Sequence, residues 1–184
     1  MTPAEVAARL TDRLVADRLP YAVGGALALI AWDVRVEPAS VDLFVFAAPE
    51  ELVRVLDALE EAGAAVDRSV ARRDFARAGW FSARCADVAV AVTMAYHPVH
   101  QDMEERRVPL AVGDDKPRWF LSPEDLAISK LVAGDPTELD RLFAVRGEKL
   151  EPAYIRDWLQ RVLGPADPRH AQLASLLERR RPSP

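Results

Sequence analysis

Only one cysteine, Cys85, occurs in 184 residues, which excludes an internal disulfide framework and a cysteine-based zinc site. Histidine is nearly as scarce, with three residues. Two of them flank a proline in Tyr96-His97-Pro98-Val99-His100, with Asp102 and Glu104 close by. His-x-x-His spacing across a proline is a weak zinc pattern, so the pair reads as loop histidines. No apolar run approaches the roughly 20 residues that span a bilayer. Charges stand near the N-terminus where a secretory signal would be apolar, which predicts a cytoplasmic protein with no membrane attachment. Positive charge is not in excess: 24 Lys and Arg against 29 Asp and Glu give a net charge of -5, which argues against a general nucleic-acid binder. The cluster Arg179-Arg180-Arg181 reads as a helix end complementing the macrodipole. Ser122 and Ser129 lack the setting of an activated nucleophile, which sets hydrolase chemistry aside. There is no internal repeat and no low-complexity linker.

What is present is an ordinary folded composition, 50% hydrophobic and 29% charged, long enough for one domain, or one with a small appendage, around a real core. Thr2-Pro3-Ala4-Glu5 is a capping box with proline at the first helical position. The helix it opens is expected to bury Val6, Leu10, Leu14 and Val15. Tyr21–Val23 then reads as a short strand, and Gly24-Gly25 turn the chain into an apolar, buried helix ending near Trp32. A second strand covers Val41–Phe46, and Leu52, Val55, Leu56 and Leu59 mark a helix that Gly63 stops. From Ala64 to about Leu121 the period changes to two. The strands expected there are 65–70, 80–84, 87–93, 108–112 and 118–121, with 87–93 central because it is nearly all apolar. From Ser122 onward the pattern is helical, with starts at Ser122-Pro123, Asp135-Pro136, Pro152 and Asp167-Pro168. The fold class is therefore α+β: a mixed sheet with flanking helices over residues 1–121, and a helical C-terminal region over 122–184 packed on it.

One constellation carries chemistry. Side chains alternate along a strand, so Ser40 and Asp42 share a face. The bare amides after Gly24-Gly25 lie one element away, an arrangement suited to a polyphosphate and its neutralising cation. Two carboxylates spaced by one residue, with a third from a neighbouring strand, can bridge the two metal ions of phosphoryl and nucleotidyl transfer. Asp87, at the head of the buried 87–93 strand, is the natural third acid. Glu37, just before the Asp42 strand, is another carboxylate within reach if the loop folds back over Pro38.

This order of elements resembles the DNA polymerase β-type nucleotidyltransferase superfamily, and within it small bacterial members related to abortive-infection toxins and minimal nucleotidyltransferases. The superfamily pattern is a strand, a Gly-Gly or Gly-Ser pair opening a helix, a strand reading Asp-x-Asp, and a third Asp on a later strand. Gly24-Gly25 match the glycine pair, Asp42 the second acid and Asp87 the third. The helix of Leu121-Ser122-Pro123-Glu124-Asp125-Leu126-Ala127-Ile128-Ser129-Lys130 resembles one whose lysine, at the place of Lys130, reaches nucleotide phosphate. The resemblance implies that Asp42 and Asp87 are catalytic and hold Mg²⁺, and that Gly24, Gly25, Ser40 and Lys130 bind a nucleoside triphosphate in a cleft between the sheet and the Lys130 helix. The departures are equally specific. Ser40 stands where the first acid belongs, and a hydroxyl is a poor Mg²⁺ ligand beside an aspartate. Asp135, Thr137 and Arg141 depart from the Arg-x-Lys-Asp-x-x-Asp segment of relatives. The resemblance with these departures implies a nucleotidyltransferase-fold protein with an incomplete metal site, nucleotide-binding or regulatory, with weak or no transfer activity. The alternatives are an active Mg²⁺-dependent enzyme moving a nucleoside monophosphate to a hydroxyl of RNA, protein or a small molecule, and a toxin–antitoxin component acting through a protein partner.

Overall fold

A computed structural model of the chain describes residues 1–112, 114 and 116–179. The first helix, α1 (Pro3–Ala16), begins at the expected capping box: the Thr2 hydroxyl accepts from the Glu5 amide at 3.3 Å and the Glu5 carboxylate accepts from the Thr2 amide at 2.7 Å. Its apolar stripe, Val6, Leu10 and Leu14, is fully buried, whereas Val15, one position past Leu14 and so turned about 100° away from the stripe, is 60% exposed and not buried as expected. The chain continues through β1 (Tyr21–Val23), α2 (Gly25–Ala31), β2 (Ser40–Val45), α3 (Leu52–Glu61), β3 (Ala64–Ala65), α4 (Arg68–Ala78), β4 (Trp80–Cys85) and β5 (Val88–Met94). It then forms α5 (Pro98–Arg106), β6 (Val108–Ala111) and β7 (Pro117–Phe120), and closes with α6 (Pro123–Ala133), α7 (Leu139–Arg146), α8 (Pro152–Leu163) and α9 (Arg169–Arg179).

The strands form one mixed sheet in the order β3-β4-β5-β2-β1-β7-β6. β2 lies at its centre, antiparallel to β1 and parallel to β5. Along β2, Val41, Leu43 and Val45 are buried, while Ser40 and Asp42 on the other face are only half-buried. β5 alternates in step, with Val88, Val90 and Val92 buried and Ala89, Ala91 and Thr93 more open. One face thus belongs to the core, where α1 contacts β2 and α3. The other is the face of Asp42. The C-terminal helices join the same core: α6 contacts α2 and α8, and one cluster of buried apolar residues extends from Val6 to Leu176. Among the described residues no helix is long and apolar enough to cross a membrane.

Three stretches differ from the period-two reading. Residues 68–78 form a helix, not part of a strand, because Asp67 caps it: its Oδ1 accepts from the amides of Ser69 and Val70, both at 3.0 Å. Pro98–Arg106 is also a helix, opened by proline at its first position and capped by His97, whose Nδ1 accepts from the Val99 amide at 3.4 Å. Residues 86–87 are a turn between β4 and β5, so β5 starts at Val88 rather than at Asp87. At the C-terminal end Arg179 pairs with Asp140 at 2.9 Å; Arg180 and Arg181 lie outside the described residues.

Candidate functional site

The glycine turn is held by Asp42's own strand. The Gly24 amide donates to the Asp42 carbonyl at 2.8 Å, tying the end of β1 to β2. Gly24 is the N-cap of α2, whose first backbone bond runs from Ala28 back to Gly24 at 3.2 Å, so the amides between them have no intrahelical partner. Both glycines are required by space. A Cβ on Gly24 would come within 2.7 Å of the Phe44 ring. Gly25 has φ +56°, the left-handed region, and a Cβ there would overlap the Asp42 carboxylate. The packing is reciprocal: Asp42 sits directly against Gly25 because that residue has no side chain.

Burial raises the Asp42 carboxyl above the ordinary aspartate value; the positive charge of Lys130 draws it back down, and Asp135 pushes it up again. Lys130 approaches from α6 with its side chain only 13% exposed. Its Nζ lies 3.2 Å from Glu138 Oε2 and 3.7 Å from Asp135 Oδ2. The segment after α6 folds back because Gly134 takes the left-handed conformation and the Asp135 amide donates to the Lys130 carbonyl at 3.0 Å. The glycine turn, Asp42 and Lys130 are thus assembled as one group, with two acids partly neutralising the lysine.

Asp87 is not brought to this group. It is exposed in the β4–β5 turn beside Ala86, which takes φ +50°, and its carbonyl accepts from Arg84 Nη1 at 3.2 Å. In the parallel β2–β5 pairing, Ser40 lies opposite Ala89 and Asp42 opposite Ala91. Asp87 is therefore four residues short of Asp42's partner, about 13 Å along the strand. The physical reason is the hairpin: a short polar residue suits a two-residue turn, and the turn takes Asp87 before the strand begins. Glu37 is exposed in the loop ahead of β2.

A two-metal centre needs carboxylates that bridge the ions. On the Asp42 face the positions around that acid are Ser40, Ala89 and Ala91. Among the described residues no three His, Cys, Asp or Glu side chains converge in a way that could hold a metal ion. The residues present do not fit a two-metal site. The histidines are likewise structural in their visible contacts: His97 caps α5, and His100 Nδ1 accepts from the His97 amide at 3.2 Å.

Two features were invisible in the sequence pattern. A cavity of about 560 Å³ lies between the sheet and α6, floored by Phe44 and Thr93 and walled by Ile128, Ser129 and Val132. It lies between the sheet and the Lys130 helix, but Gly24, Gly25, Asp42 and Lys130 do not line it, so it is not the nucleotide cleft the resemblance implied. The second is a polar cluster at the start of α6. Asp125, fully buried, accepts from the Ser122 hydroxyl at 2.5 Å and the Tyr154 hydroxyl at 2.7 Å, with Arg106 Nε 4.0 Å away. It fastens α6, and hence Lys130, to α5 and α8.

Comparison with known proteins agrees with this architecture. No curated protein matches the chain in sequence. Among solved structures it is similar to the antibiotic-resistance factor ANT(2'')-Ia in solution, with a TM-score of 0.60 at 16% identity over 97% of each chain. A crystal structure of ANT(2'')-Ia in complex with adenylyl-2''-tobramycin gives a TM-score of 0.52 at 16% identity, over 96% of this chain and 98% of that one. TM1012 from Thermotoga maritima, assigned as a nucleotidyltransferase, gives 0.55 at 17% identity, over 88% of this chain and 96% of that one. At these identities the likeness concerns the fold. A family model described as a nucleotidyltransferase of unknown function, DUF6036, matches residues 5–144, the stretch that holds the glycine turn, Asp42 and Lys130, and the chain belongs to that family.

Proposed function

We propose that this protein is a nucleotidyltransferase-fold protein with an incomplete metal site, nucleotide-binding or regulatory, with weak or no transfer activity. In this reading residues 1–121 carry the site and residues 122–184 are the helical region that supplies Lys130. The Gly24-Gly25 turn, Ser40 and Lys130 form the phosphate side, and of the three acids of the superfamily pattern only Asp42 remains beside them. A single observation carries the reading: Asp42 has Ser40 beside it on its own strand and alanines at 89 and 91 on the next. One carboxylate could bridge two cations but leaves them with too few anionic ligands, so the electrostatic stabilisation of nucleotidyl transfer is largely missing. Lys130 supplies a positive charge that needs no metal, although Asp135 and Glu138 compete for it. The similarity to an enzyme solved with adenylyl-2''-tobramycin supports a nucleotide as the ligand class.

Calorimetric titration of ATP, GTP, CTP and UTP, with Mg²⁺ and with a chelator, tests this. At least one nucleotide is expected to bind in both conditions, and Lys130→Gln is expected to weaken it by about tenfold. Binding that vanishes with the chelator, or no binding at all, would overturn the reading.

A further inference from the structure

The cavity between the sheet and α6 has a chemistry of its own, independent of whether the glycine turn takes a nucleotide. Its volume of about 560 Å³ lies within the range of small-molecule sites. Four aromatic side chains line it: Phe44, Phe75, Trp80 and Tyr96. Phe75 and Tyr96 meet edge-on at 5.8 Å. Trp80 is 43% exposed and Tyr96 46% exposed, so large flat groups are left open at the cavity instead of packed into the core, a pattern associated with binding surfaces.

Aromatic walls alone would suit a cation as well as a flat ring. The polar groups decide between them. No Asp or Glu occurs among the lining residues, so nothing there would neutralise a bound cation. Arg77 lines the cavity and makes no ion pair with any described residue. His100 accepts the His97 amide on Nδ1, which places the proton of its neutral ring on Nε2 as a donor. Burial, and then the neighbouring His97, lower its pKa to about 4, so the ring stays neutral near pH 7. A binding space with aromatic walls, a guanidinium without an ion pair among the described residues, and no acid among its described lining residues is complementary to a flat, negatively charged molecule.

We propose that this cavity binds a small planar aromatic anion, with its ring against the aromatic walls and its acidic group on Arg77. The direct test titrates the full chain with three probes of one shape, 2-naphthoate, 2-naphthalenemethanol and 2-naphthylmethylammonium, followed by calorimetry. The anion is expected to bind at least about tenfold more tightly than the alcohol, and the cation most weakly. Arg77→Gln, a change at an exposed residue, is expected to erase the preference for the anion while leaving the alcohol unaffected. Val132→Trp, which fills the cavity, is expected to abolish all three; should that variant fail to fold, the Arg77→Gln result still decides. Lys130→Gln is expected to leave naphthoate binding intact, which separates this site from the nucleotide reading. A cation that binds as tightly as naphthoate, an anion preference that survives Arg77→Gln, or no naphthoate binding at about 1 mM would overturn the proposal.

Discussion

Gly25 and Asp42 define each other's positions, and each yields a prediction. A side chain at Gly25 meets both a left-handed backbone and the Asp42 carboxylate, whereas Gly79, at φ +76°, has no neighbour within 4 Å of an added Cβ. Gly79→Ala should therefore cost only the backbone penalty, about 1 kcal/mol, and Gly25→Ala about 2–3 kcal/mol because a steric conflict is added. Denaturant unfolding of the two variants measures the difference. For Asp42 the folded carboxyl holds its proton more tightly than the ordinary aspartate value of 3.8. The folded state thus binds more protons than the unfolded state above that pH, and stability at this residue falls as pH rises through the window. Asp42→Asn is expected to raise stability at pH 7 by about 1 kcal/mol, with the gain closing as the pH drops to 3.8 and below. A variant less stable than the parent at pH 7 would contradict the dominance of burial over the Lys130 attraction. At this scale the sequence was informative: Gly24 and Gly25 lie against Asp42, and the charge of Lys130 is felt there, in line with the neighbourhood the resemblance implied. Asp87 was misplaced because an acid in a hairpin turn and an acid heading a strand look alike until the register is known.

Helix α6 depends on a buried polar anchor rather than on capping alone. Asp125 receives two hydroxyls and lies near Arg106, while the Arg106 guanidinium also sits 4.2 Å over the Tyr154 ring and 3.2 Å from Glu124. Asp125→Ala strands the Ser122 and Tyr154 hydroxyls and removes the negative charge beside Arg106, so a loss of about 3 kcal/mol is expected. Asp125→Asn, whose side-chain carbonyl can accept one hydroxyl while its NH2 donates to the oxygen of the other, should cost markedly less, and thermal unfolding of the two variants compares them. Element starts at Thr2, Ser122 and Pro152 were legible because capping residues and prolines act locally. The helices at 68–78 and 98–106 were not. Arg68–Ala78 is so polar that its single fully buried residue, Ala71, leaves no apolar period to read, and only the Asp67 cap marks it.

At the scale of the whole molecule, one continuous core joins the sheet to the C-terminal helices, and the half-open face of β2 and β5 is left to the site and the adjoining cavity. The α+β class and the mixed sheet were legible from the alternation of helices and strands. The strand order was not, because it is set by long-range pairings such as β1 with β7. That order puts β5 beside β2, and with it two alanines beside Asp42. The sharpest test is pyrophosphate release from each nucleoside triphosphate in Mg²⁺, measured on the parent chain and on the double variant Ser40→Asp, Ala91→Asp. The parent is expected to release little or none above background, and the double variant to release more and to gain Mg²⁺-dependent nucleotide affinity. Mg²⁺-dependent pyrophosphate release by the parent chain as fast as by the double variant would contradict the incomplete metal site.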